Sequence, residues 1–293
     1  MSSKGIPEKL FGSYVFIYDG IYDQTKQLKG GIPKWLIQNG GNIAILSFLD
    51  PLELEVSTNL PQEFLDSLAQ ISVQRKDNFY VMLSIGGWDF QNRFLQANPT
   101  KVAQNAAYIA QKYNIGIELD SESDNTKNWI NEFIQTFRKI IPKNNNNQMS
   151  SVLTINTGAS PGAFPNVEQA ALDNIELLNW VNVMVYDPEQ SPDNRMYWNQ
   201  HKLQGNQMTV ARNLVNTCED LASLEQTLQY KKNQQDVKGI LFWAALSPNT
   251  CDLAQEGAQN CGTSCRDCTG GIGSKGNWQC RAIQEACKSF GVC

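Results

Sequence analysis

Histidine is almost missing from this chain: His201 is the only one in 293 residues. Cysteine is nearly as scarce over most of the length, with Cys218 alone before a cluster that begins at Cys251. These two shortages weigh against a structural zinc site. Cys265-x-x-Cys268 has ligand spacing, but no second Cys-x-x-Cys follows and His201 lies far upstream, where it reads as a surface or loop residue. An excess of positive charge is also lacking. A net charge of −5 argues against a nucleic-acid partner or an anionic membrane surface. No apolar run approaches the ~20 residues that a membrane span needs. The opening MSSKGIPEKLFG has no apolar signal-peptide core. No linker, internal repeat or charge block divides the chain, and the asparagine run at 144–147 reads as a solvated loop.

Hydrophobic residues make up 41% and charged residues 18%, enough to build a sizeable core. Short apolar, β-branched or aromatic runs recur along the sequence. Eight are expected to be strands, at 14–18, 42–48, 79–85, 115–122, 151–157, 181–186, 208–214 and 239–246. Helices are expected at 63–73, 100–113, 126–141 and 220–232. In the third of these, Trp129, Ile130, Phe133, Ile134, Phe137, Ile140 and Ile141 fall at helical spacing. Alternating strands and helices, with strands apolar on both faces, imply a parallel sheet covered on both sides. Eight such units point to an α/β fold of the (β/α)8 TIM-barrel kind, with an open doubly wound sheet as the alternative.

Seven of the eight cysteines lie from Cys251 to Cys293, an even, clustered set that reads as a disulfide framework and an oxidising compartment. The expectation is an extracellular or secretory-pathway protein whose leader is absent from this sequence. Trp278, Ala282, Ile283, Ala286, Cys287 and Phe290 recur at helical spacing, as the last helix of the barrel would require. The Cys-rich stretch before them becomes the loop between the eighth strand and that helix, so residues 1–293 form one domain. Gly271-x-Gly273-x-x-Gly276 matches a dinucleotide fingerprint, but no strand precedes it and it lies among cysteines.

The fourth strand carries the chemistry. Its odd positions Ile115, Ile117 and Leu119 are apolar, while Glu118, Asp120 and Glu122 share the even face. Three acids in a row repel one another and are costly to bury, so stability alone does not select them. Taken alone, the stretch also fits an edge strand with a solvated acidic face. In a barrel the even face points inward and Glu122 reaches the C-terminal mouth, with Asp120 and then Glu118 beneath it. Burial and neighbouring carboxylates raise the pKa of Glu122, the condition for a general acid near neutral pH. Such an arrangement suits hydrolysis of a glycosidic bond.

Gly116-x-Glu118-x-Asp120-x-Glu122 resembles the D-G-x-D-x-D-x-E signature of family-18 glycoside hydrolases, the chitinases and chitinase-like proteins. Three further stretches are similar to family motifs in the family's order: Ser84-x-Gly86-Gly87-Trp88, Met184-x-Tyr186-Asp187, and Trp243 on the eighth strand. The resemblance implies Glu122 as proton donor, Asp120 as holder of the substrate's acetamido group, and that group's oxygen as nucleophile. It further implies Tyr186 as a hydrogen-bond donor, Asp187 lining the same pocket, and Trp243 as the apolar floor under the sugar. Glu118, Met184, Tyr18, Gly87 and Trp88 complete the implied substrate site. The implied substrate is chitin or another N-acetylglucosamine-containing oligosaccharide, bound by a monomer that uses no metal or cofactor. Only about fifty residues separate Tyr186 from the eighth strand, too few for the α+β insertion some relatives carry, and this favours a shallow cleft and endo action.

The signature departs from the family at Ile115 for the first acid, Glu118 for the middle aspartate, and Ser121 for the frequent tryptophan. Positions 115 and 121 point outward, so those changes are expected to be mild. Glu118 points inward, where its longer arm alters how Asp120 is held. Two alternatives remain open at this point: a non-hydrolytic glycan-binding protein using the same cleft, and an enzyme that cleaves N-glycan cores.

Overall fold

The computed structural model describes residues 6–16, 36, 41–62, 64–66, 68–69, 79–143, 148–158, 164–185, 203, 207–213 and 237–245. Eight parallel strands close into a barrel in sequence order: β1 (Leu10–Phe16), β2 (Ile43–Leu49), β3 (Tyr80–Gly86), β4 (Gly116–Asp120), β5 (Leu153–Gly158), β6 (Trp180–Val185), β7 (Met208–Asn213) and β8 (Gly239–Ala245). The seam between β1 and β8 is paired like the rest, with Leu10 opposite Gly239 and Gly12 opposite Leu241. The open-sheet alternative is thereby excluded.

Strand bounds differ from the expected ones by one or two residues, with one exception. The first strand starts at Leu10 instead of residue 14, because the stretch from Leu10 to Tyr14 completes the pairing to β8 and β2. The helix α1 (Pro51–Val56) follows β2, and α2 (Gln91–Gln96) follows β3. The helix α3 (Pro99–Tyr113) opens with Asn98, whose side chain accepts from the Lys101 N–H at 3.0 Å, and with Pro99 in its first turn. It closes at Asn114 in the left-handed region, φ 50°. The helix α4 (Lys127–Ile140) follows β4, and α5 (Pro165–Asp173) lies between β5 and β6, where no helix was expected. Pro165 in the first turn, with Val167, Ala170 and Ala171 buried on one face, accounts for it. Among the described residues, those from 62 to 69 are helical, within the helix expected at 63–73.

Two apolar cores lie on opposite sides of the sheet. The outer one sets Ile115, Ile117, Leu119, Leu153 and Ile155 against Val102, Ala106, Phe133 and Phe137 of the helices. An aromatic ladder runs through it: Phe94 meets Trp129 edge-on at 4.8 Å, and Trp129 stacks on Phe133 at 5.4 Å. The inner core fills the N-terminal half of the barrel with Leu10, Ile43, Ile45, Tyr80, Met82 and Trp180. Met149 and Val152, from the segment leading into β5, plug it from below. Above this floor the interior turns polar.

The arginine Arg138 fastens α4 at the bottom rim. Its guanidinium is buried and donates to the carbonyls of Leu177 at 2.6 Å and Ser151 at 2.9 Å and to Asn179 Oδ1 at 2.8 Å. The cysteines, His201 and the expected last helix lie outside the described residues.

Candidate active site

β4 places the three acids as the alternation requires. Glu118 and Asp120 face the interior, 0% and 4% exposed. The strand ends at Asp120, two residues short of expectation, so Glu122 stands half-buried just past its C-terminal end. Ser121 points outward and its hydroxyl pairs with that of Thr126 at 2.7 Å, closing the turn into α4. Ile115 sits in the outer core. The two outward departures from the signature are therefore absorbed by the helix layer.

Glu118 is held in a ring of amides and hydroxyls. Tyr14 Oη lies 3.0 Å from its Oε2, and Asn156 Nδ2 lies 3.4 Å from its Oε1. Asn182 Nδ2 donates to the same Oε2. Tyr14 Oη is also 2.8 Å from Asn156 Oδ1. Trp180 Nε1 donates to Asn182 Oδ1 at 2.8 Å, and the Thr209 hydroxyl donates to that oxygen as well. Burial, with Asp120 adding repulsion, pushes the Glu118 carboxyl up to about 8, against the pull of its hydrogen-bond donors.

Asp120 lies one layer higher. Its Oδ1 is buried and has no hydrogen-bond partner among the described residues. Burial raises its pKa to about 6, and the neighbouring Asn156 amide opposes the rise. Glu122 is pushed up to about 9 by burial first, then by the charges of Asp120 and Asp89, while a hydrogen bond from the Trp88 backbone works the other way. The site thus sets a neutral carboxylic acid beside a carboxylate at neutral pH.

The Gly86-Gly87 pair shapes the rim beside them. Both glycines have positive φ, 102° and 112°, and the Gly87 N–H donates to the Asp120 carbonyl at 2.8 Å. The next residue, Trp88, is 64% exposed at the mouth. Trp243 projects inward from β8, its ring centroid 5.9 Å from that of Tyr14 and 5.1 Å from that of Phe48, which it meets edge-on. Met184 is buried on the inward face of β6, opposite Gly158.

Glu118, Asp120, Glu122, Gly87, Trp88, Met184 and Trp243 therefore gather at one end of the barrel. Tyr18, Tyr186 and Asp187 lie outside the described residues. Tyr14, Asn156, Asn182 and Phe48 were not expected in the site. The signal for the two asparagines was present: each is an amide at inward parity inside an apolar strand. Among the described residues no group of histidine, cysteine, aspartate and glutamate is arranged to hold a metal ion, and no helix is long and apolar enough to cross a membrane.

A parallel barrel with an acid pair at its C-terminal mouth and an indole beside them defines a glycosidase-type site. Glycosyl hydrolases family 18 matches residues 16–214, and the chain belongs to that family. Comparison with curated protein sequences returns no match. Among solved structures, the chain is similar to the catalytic domain of a family GH18 chitinase from the fern Peteris ryukyuensis, with a TM-score of 0.60, 15% identity, and 96% of this chain and 99% of that one covered. It is also similar to the C-terminal domain of Legionella pneumophila ChiA (TM-score 0.55, 13% identity, 86% and 95% covered). A GH26 β-mannanase from Bacteroides ovatus shares the fold as well (TM-score 0.55, 12% identity, 96% and 88% covered). At these identities the likenesses establish the barrel alone. Family membership makes the chain a glycoside-hydrolase-type, chitinase-like protein.

Proposed function

We propose that the chain is an endo-acting hydrolase of β-1,4-linked N-acetylglucosamine polymers, working with retention through the substrate's own acetamido group. The observation that carries this reading is the pairing of a neutral Glu122 at the mouth with an Asp120 oxygen that is buried and, among the described residues, without a partner. In the first half-reaction, the Glu122 carboxyl gives its proton to the glycosidic oxygen as that oxygen leaves C1. The acetamido oxygen attacks C1, and the resulting positively charged ring is balanced by Asp120. In the second, the Glu122 carboxylate takes a proton from water, which attacks C1 and reopens the ring with the original configuration.

Trp243 supports the reading as a floor for the C–H face of the sugar, braced by Phe48 and Tyr14. We assign Tyr186 the hydrogen bond to the acetamido group and Asp187 the wall of that pocket, on their match to the family motif. Tyr18, Gly87, Trp88 and Met184 line the remaining sugar contacts. The clustered cysteines support an extracellular or secretory setting.

One observation favours a second reading, a glycan-binding protein without turnover. The long arm of Glu118 engages Tyr14, Asn156 and Asn182, and Asp120 Oδ1 receives nothing from it. Reporter release from an N-acetylchitooligosaccharide by the wild type and by Glu122→Gln separates the two. Release by the wild type alone, with a retained product anomer, is expected. Binding of the oligosaccharide without any release overturns hydrolysis in favour of the second reading, and release confined to N-glycan cores changes the substrate class.

A further inference from the structure

Tyr14 has one hydroxyl proton and, among the described residues, two acceptors within reach, Glu118 Oε2 at 3.0 Å and Asn156 Oδ1 at 2.8 Å. It can donate to one of them only. The orientation of Asn182 fixes which arrangement is consistent. Trp180 Nε1 can only donate, so the Asn182 atom 2.8 Å from it is the carbonyl oxygen and the amide nitrogen faces Glu118. Glu118 Oε2 therefore accepts from Asn182 in every state. If Glu118 is ionised, the Tyr14 proton turns to it and leaves the carbonyl of Asn156, a residue 2% exposed, without a donor among the described residues. If Glu118 carries a proton, the chain closes: Glu118 donates to Tyr14, Tyr14 donates to Asn156 Oδ1, and Asn156 Nδ2 points back toward Glu118 Oε1. The Glu118 carboxyl, the Tyr14 hydroxyl and the Asn156 carbonyl are then all paired within the ring.

Asn156 also stands beside Asp120. β4 and β5 pair Glu118 with Thr154 and Leu119 with Ile155, so the next step of that register sets Asp120 next to Asn156 on the inward face. We propose that Asn156 is a positioning residue for Asp120, its amide held in one orientation by Tyr14 for as long as Glu118 keeps its proton. The glutamate at 118 thereby acts on Asp120 through a side chain of the neighbouring strand. This rests on the reading of Asp120 as the group that balances the sugar's charge, and it names what holds that group still. Among the described residues, Glu118 and Glu122 interact with the Asp120 charge, Gly86 pairs with Asp120 on β3 and Asn156 hydrogen-bonds it from β5; Tyr14 acts on Glu118, and Asp89 acts on Glu122. The raised pKa of Glu118 agrees with a retained proton.

Infrared titration of the carboxyl groups tests the proposal without substrate, so its outcome is independent of whether the chain hydrolyses anything. At pH 7 the wild type should show, beside the Glu122 band that Glu122→Gln identifies, a hydrogen-bonded protonated carboxyl band that Glu118→Gln removes. Tyr14→Phe should move that band to higher frequency, as the acid loses its acceptor. Asn156→Leu, close to asparagine in volume, should raise the Asp120 titration by about one pH unit, the scale of one lost hydrogen bond to a carboxylate. Asp120→Asn identifies that titration. In turnover, Asn156→Leu should lower kcat on the order of tenfold with KM within about twofold, and shift the acid limb upward by the same amount. A pH 7 spectrum that loses no band in Glu118→Gln, a Glu118 band unmoved in Tyr14→Phe, or an Asp120 titration unmoved in Asn156→Leu overturns the proposal. If Asn156→Leu does not fold, the first two measurements decide. Absence of turnover in the wild type refutes the hydrolase reading and leaves the infrared result standing.

Discussion

Gly87 and Phe48 divide one space at the mouth of the barrel: a β-carbon on residue 87 would lie 2.4 Å from Cδ1 of the Phe48 ring. Both residues sit at positive φ, 112° and 84°, and for phenylalanine that backbone is strained. The pairing of β2 with β3 slips between Leu46 and Leu49, and Phe48 lies in that slip. The strained backbone carries its ring to the edge of Trp243. Strain of this kind persists only where the surroundings over-determine it. Gly87→Ala should therefore destabilise the fold by about 1–3 kcal/mol and turn the Trp243 indole. Denaturant unfolding and tryptophan fluorescence check it. Unchanged values on both would show that Phe48 moves freely.

Glu122→Gln should lower kcat by roughly 10²–10⁴, the usual contribution of a general acid, while oligosaccharide affinity by calorimetry changes only a few-fold. The pH profile follows from the same two carboxyls. Asp120, raised to about 6, must ionise for activity, so rates rise through that value. Glu122, raised to about 9, must keep its proton, so rates fall as it is lost. The two interact, and the limbs report the pair as a unit. A profile with its maximum at pH 4 would contradict the environment of both.

Glu118 makes folding stability depend on pH in a definite direction. Its pKa is about 8 in the fold against an ordinary value of 4.5. Between those values the unfolded chain has lost the proton and the folded chain has kept it, so stability falls as pH rises from about 4.5 toward 8. Glu118→Gln, which cannot ionise, should be closer to wild type at pH 4 and more stable than it at pH 8, by on the order of one to a few kcal/mol. Melting curves at the two pH values check the sign. A variant whose deficit grows with pH would mean that Glu118 is ionised in the fold.

Arg138 has carbonyl oxygens and an amide as its hydrogen-bond partners among the described residues. Burial lowers its pKa to about 10, which leaves it charged at neutral pH. Arg138→Met keeps much of the aliphatic contact and strips donors from Leu177, Ser151 and Asn179. A loss of about 2–4 kcal/mol in unfolding free energy is expected, with kcat and KM unchanged because the residue lies at the end opposite the acids. A change in kcat with stability intact would place Arg138 in the catalytic path.

The strand alternation at Glu118, Asp120 and Glu122 was readable from the sequence because parity has only two answers. Ile115, Ile117 and Leu119 settled which face met the helices. The strands were legible because each is an apolar run bounded by polar residues. The helix α5 escaped for the opposite reason: its nine residues bury only a narrow face, too short a pattern to stand out. Asn156 and Asn182 carried a signal, an amide at inward parity, but their use depends on Tyr14 and Trp180, which join them only when the barrel closes. Phe48 gave no sign at all. Its role rests on a backbone angle, and a strand pattern does not specify that.

The apolar floor has a consequence for the acids above it. Among the described residues, Met149, Val152, Met82 and Trp180 are buried in the lower half of the barrel and set an apolar plug beneath Glu118. The partly exposed members of the column, Glu122 and Trp243, lie at the other end. On the proposed mechanism a sugar chain lying on that indole is then also a stopper, and the proton that Glu122 gives to the leaving oxygen has to come from those the three carboxyls held when the sugar arrived.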